Sequence, residues 1–135
     1  MSQFIKIYEI KENYWIGVMN GEWRVENNNL ILRLDKINPA SLLPILGNKR
    51  GFAEAIKKST SENKALENLN IDDLIEDIII TSFEIKSNYW SQYALEWLKE
   101  TNFSEKLKGY LNAVRDASWL DQKNRHLAKR LFYRN

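Results

Sequence analysis

Apolar residues alternate with polar ones at a period of two through the first third of the chain and recur at helical spacing after that. In Phe4-Ile5-Lys6-Ile7-Tyr8-Glu9-Ile10, Ile5 and Ile7 fall on one face among β-branched and aromatic neighbours, which predicts a strand. Tyr14 to Met19 and Glu22 to Val25 are two further apolar runs separated by Asn20-Gly21. Both positions of a type I′ turn need positive φ, so Asn-Gly between such runs predicts a hairpin. Trp15 and Trp23, flanking that turn, are expected to pair across it. Asn27-Asn28-Asn29 marks another turn, and Leu30 to Leu34 another strand. The pattern therefore gives an antiparallel β-meander of three or four strands over residues 1–36. A sheet of that size needs a covering layer.

Helices over residues 39–135 supply the cover. Asn38-Pro39 reads as a helix entry and Gly47 as its stop; Phe52 to Ile56 continues as a short helix into Lys57 to Asn63, whose polar run predicts a loop. Asn70 opens a helix in which Leu74, Ile75, Ile78 and Ile79 form a buried stripe. Ser87 and Ser104 are the expected caps of two more, with Trp90 and Trp97 as core residues of the first. A last helix runs from about Asp121 to Phe132. Sheet first and a bundle of four to six helices after it is an α+β order, expected here as one domain over 1–135.

Composition narrows the chemistry. The 135 residues are 44% hydrophobic and 28% charged, ordinary globular values that oppose wholesale disorder. Cysteine is absent, which removes disulfides, thiolate nucleophiles, zinc fingers and iron–sulfur clusters. The start, Met1-Ser2-Gln3-Phe4-Ile5-Lys6, has no basic leader before a long apolar run, and Ile78-Ile79-Ile80 falls far short of the roughly 18 residues of a membrane span. A cytoplasmic protein is the expectation.

The net charge of +2 hides an asymmetry. Residues 54–105 carry five basic and eleven acidic side chains, residues 106–135 eight basic and two acidic. Such halves either neutralise one another within the fold or present one sign to a partner. The acidic part is most concentrated at Asp72, Asp73, Glu76 and Asp77, which form one continuous helix face opposite the apolar stripe. A metal site of the aspartate-rich kind needs a second acidic helix, and none is present in the sequence. Two readings remain: a solvated face whose first-turn acids complement the helix dipole, or a docking patch for a basic protein surface. The basic part offers Arg115, Lys123, Arg125, Lys129, Arg130 and Arg134 as contacts for a phosphate backbone, with Trp119 or Tyr133 to stack on a base. Near helix C-termini the same residues are also good dipole partners.

Little else resembles catalytic equipment. His126 is the one histidine and sits among Arg125, Lys129 and Arg130, with no Ser-His-acid arrangement readable nearby. The glycines at 17, 21, 47, 51 and 109 have neither P-loop nor dinucleotide spacing. Gly47-Asn48-Lys49-Arg50-Gly51 is a small basic turn, a connector or an anion holder. The inventory points to binding rather than catalysis, with an enzyme working through carboxylates alone as the other class. No catalytic residue, metal ligand or cofactor is expected.

Ser87-Asn88-Tyr89-Trp90, Ala94-Leu95-Glu96-Trp97-Leu98 and His126-Leu127-Ala128-Lys129-Arg130-Leu131 together resemble small bacterial immunity proteins of contact-dependent growth-inhibition and polymorphic toxin systems. The resemblance covers about a third of the chain. It implies a cytosolic, non-enzymatic protein that binds one cognate toxin domain, frequently a nuclease, and occludes its active site; the concentrated negative charge makes Asp72, Asp73, Glu76 and Asp77 the expected contacts. Many such proteins are acidic throughout, whereas here only residues 54–105 are. The alternative is a small RNA- or DNA-binding module using the basic C-terminal helices. Self-association, through Phe132 and Tyr133 or an edge strand, is left open.

Overall fold

The computed structural model describes residues 3–134; Met1 and Ser2 of the stretch scanned for a leader, and Asn135, lie outside them. An antiparallel sheet precedes five α-helices, an α+β arrangement. The chain divides into two compact units, Met1–Asn70 and Ile71–Asn135.

The first unit opens with the strands β1 (Ile5–Lys11), β2 (Tyr14–Met19), β3 (Glu22–Asn27) and β4 (Leu30–Arg33), hydrogen-bonded in chain order. Asn20 (φ 56°) and Gly21 (φ 76°) form the expected two-residue turn, which sets Met19 opposite Glu22. Asn28 (φ 49°) and Asn29 (φ 72°) repeat the device between β3 and β4 with two asparagines, whose side chains tolerate the left-handed region. The register separates the two tryptophans expected to pair. Trp15 lies opposite Glu26 and Trp23 opposite Val18, so an odd number of residues puts the indoles on opposite faces of the sheet.

β1 carries two register shifts, between Lys6 and Tyr8 and between Glu9 and Lys11. The first lets consecutive residues Ile7 and Tyr8 both join the core cluster with Val18, Leu66, Trp23 and Ile56. At Gly17 an added Cβ would stand 2.1 Å from the carbonyl oxygen of Ile5 and 2.7 Å from the Phe4 ring. Only glycine lets that ring lie on the sheet there.

After β4 the chain runs through 3-10 turns at Leu34–Lys36 and Pro39–Asn48, then α1 (Lys49–Glu62) and a last 3-10 turn at Lys64–Leu66. Asn38 accepts a hydrogen bond from the Ala40 amide, as its position before proline predicts. That helical segment ends at Asn48, one residue past the expected stop at Gly47, and Asn48, whose side chain accepts from the Gly51 amide, caps α1. Nor is Lys57 to Asn63 a loop. The helix continues to Glu62 because lysine is a good helix former and the Thr60 and Ser61 hydroxyls donate back to the Lys57 and Lys58 carbonyls.

The second unit contains α2 (Ile71–Glu84), α3 (Asn88–Leu98), α4 (Glu105–Val114) and α5 (Gln122–Tyr133). Ser87, Ser104 and Asp121 each accept a hydrogen bond from an amide three residues on, so the two expected serine caps hold and Asp121, expected near the start of the last helix, caps it. Leu74, Ile75, Ile78 and Ile79 are all buried, as the helical spacing required. Trp97 is buried too, whereas Trp90 is only half-buried and packs edge-on against Tyr89. Ser82 and Ser91 are fully buried small residues where α2 meets α3. The Ser82 hydroxyl donates to the Ile79 carbonyl and the Ser91 hydroxyl to the Ser82 carbonyl, which leaves both satisfied. α2 ends through Lys86 (φ 57°), with the Ser87 amide donating to the Ser82 carbonyl at 3.1 Å.

Candidate functional site

All four acidic residues singled out by the sequence lie on α2, within the second unit. The helix places them outward for a simple reason: its other face holds the buried aliphatic stripe. Asp72 and Asp73 occupy the first turn, where the positive end of the helix dipole favours carboxylates. Asp72, Asp73 and Asp77 are exposed and Glu76 is half-buried.

Glu76 is anchored. Its carboxylate accepts a hydrogen bond from the Ser104 hydroxyl, and the same Ser104 oxygen accepts from the Leu107 amide at 3.1 Å to cap α4. One serine therefore starts α4 and ties it to the acidic face of α2. The Asp77 carboxyl is held above its ordinary value by partial burial; Lys106 pulls it down, while Asp73 and Glu76 push it further up. A small cavity of about 100 Å³ adjoins this end of α2, lined by Asp72, Ile75, Glu76, Trp97 and Phe103 among others. Residue spacing placed the acids together but gave no hint of Ser104 or Phe103, which arrive from a later loop.

The six basic residues lie in the same unit but serve different ends. Arg115 donates to the Tyr133 hydroxyl at 2.7 Å and stacks over the Phe132 and Tyr133 rings at 5.0 and 5.2 Å. That hydrogen bond is the main cause holding its guanidinium above the ordinary value. Arg125 donates to the Leu120 carbonyl in the α4–α5 connection. Arg134 donates to the Lys99 and Thr101 carbonyls at 3.0 and 2.7 Å and lies over the Phe103 ring. These three guanidiniums are occupied by carbonyls and aromatic faces of their own unit. Lys123, Lys129 and Arg130 are exposed.

His126 is exposed on α5. Trp119 is half-buried and Tyr133 exposed. The Gly47 to Gly51 segment is the start of a helix, where Arg50 pairs with Glu54 at 3.2 Å. Among the described residues no group of three or more histidine, aspartate and glutamate side chains is arranged to hold a metal ion, and no helix is long and apolar enough to cross a membrane. Chemically, the α2 face is a row of carboxylates, one of them anchored, able to pair with cations of another molecule. No family model matches the chain, and neither a curated protein nor a solved structure is significantly similar to it.

Proposed function

We propose that this chain is a non-catalytic binding protein of the immunity type, which acts in the cytoplasm by covering the active site of a cognate toxin domain, a nuclease by the resemblance described above. The observation that carries the reading is the shared outward face of Asp72, Asp73 and Asp77 on α2. They stand exposed on a helix whose opposite face is buried and whose fourth acid is tied down by Ser104. A nuclease active site must attract phosphate, so its basic walls offer the complementary surface. Short carboxylate stems on a packed helix reach such a surface with fewer rotamers to order than lysines or glutamates would.

The test is direct mixing of the purified chain with the product of the neighbouring gene. A one-to-one complex with a Kd of about 1 nM or tighter, together with loss of the partner's activity, is the expected result; no complex overturns the reading. Asp72→Lys with Asp73→Lys should slow association at least about tenfold at low salt and far less at high salt. Nucleic-acid binding through the basic helices is the second outcome of the same experiment. It would appear as a gel shift whose affinity falls steeply with added salt.

A further inference from the structure

The second unit holds a further concave surface that none of the four α2 acids lines. There Lys99, just after α3, and the second half of α5 with Arg134 border an open groove of about 660 Å³. Leu127 and Leu131, one helical turn apart on α5 and largely buried, lie at its bottom, and the exposed ring of Tyr133 borders it. Lys99, Lys129 and Arg130 stand along its rim, and no acidic residue lines it. Lys99 has an exposed partner, Glu96, at 3.0 Å. Among the described residues the side chains of Lys129 and Arg130 make no ion pair or hydrogen bond. Tyr133 is 63% exposed, one of four large apolar side chains of the described chain in that state.

We propose that this groove docks an acidic amphipathic helix of a partner protein, separately from whatever the α2 face engages. The argument is the pairing of an aliphatic floor with a rim of one sign. Apolar side chains of a helix at positions i, i+3 or i+4, and i+7 fill such a channel, and glutamates beside them meet Lys129 and Arg130. The lysine and arginine stems extend the apolar walls while their charges stay in water. Two other occupants fit less well. The floor is leucine, so bases of a nucleic acid would lay polar edges on it with one ring, Tyr133, to stack against. A second copy of this chain could offer the acids of α2, but the aliphatic stripe behind them is already buried and cannot supply anchors.

The test uses the full chain and a fluorescein-labelled helical peptide of about four turns, with leucine at i, i+4, i+7 and i+11 and glutamate elsewhere on its surface. Binding at about 10 µM, with amide shifts concentrated on residues 127–133 in nuclear magnetic resonance spectra, is expected. Lys129→Glu with Arg130→Glu, both exposed, should weaken it at least tenfold while leaving circular dichroism unchanged. Absence of binding at millimolar peptide overturns the proposal. So does equal affinity for a scrambled peptide of the same composition, which lacks the apolar stripe. Tighter binding of an oligothymidine or of phosphatidylserine-containing vesicles at the same residues also overturns it, by assigning the groove to nucleic acid or lipid.

Discussion

On α2, Asp72, Asp73 and Asp77 are exposed in an ordered row, whereas on and after α4 the guanidiniums of Arg115, Arg125 and Arg134 turn back onto their own unit. Both sets looked equally available in the sequence. The difference follows from side-chain reach. A carboxylate on a short stem near a helix N-terminus stays where the backbone puts it, with the dipole in its favour. An arginine carries five donors on a long stem and finds the carbonyls left unpaired at helix ends, which it satisfies at two or three points. Net charge per segment therefore overstates how much of the positive charge is offered outward.

That contrast can be broken in four places. Removing Arg125 by substitution with alanine should cost about 1.5–3 kcal/mol of unfolding free energy, since it strips a charged donor from the carbonyl of buried Leu120. A change below 0.5 kcal/mol in urea titration would mean that the arginine is as dispensable as a surface lysine. Ser104→Ala comes next, at about 1 kcal/mol. It deletes the α4 cap and frees Glu76, so amide exchange should rise in the first turn of α4. Lys129→Gln should change stability by no more than about 0.5 kcal/mol, because among the described residues its ammonium pairs with nothing. A larger loss would place Lys129 with the structural arginines.

Smallest and most specific is Asp77→Asn. A carboxyl whose folded value is raised favours folding while protonated, and that contribution is lost as pH rises through the folded value. Asparagine should therefore stabilise the protein at pH 7, and the gain should vanish as the buffer is taken below the ordinary aspartate value of 3.8. Thermal melts of the two forms across that range should converge at the acid end. Divergence there would show that burial, with Asp73 and Glu76 nearby, is not what raises the Asp77 value.

Local chemistry explains what could be read from the sequence. Asn20-Gly21 specifies its turn, Ser87 and Ser104 specify their caps, and the Leu74 to Ile79 stripe specifies its face, each within a few residues. The extension of α1 through Ser59, Thr60 and Ser61 was not legible, because a polar run reads as loop until its hydroxyls are seen returning to the helix carbonyls. Trp15 and Trp23 were mispaired because both flank the turn, while facing depends on parity set by the register. The acids of the candidate site were visible as a row. Their tie to Ser104 was not, since it joins residues 28 apart in the chain.

The irregular first strand has a consequence for how the protein behaves in a crowded solution. β1 is the outer member of the sheet, and its rim of amides and carbonyls is interrupted twice within seven residues. The opposite rim, β4, is only four residues long. An approaching polypeptide finds no uninterrupted comb of partners on either border, so lateral growth into ribbons or fibrils is discouraged from the outset.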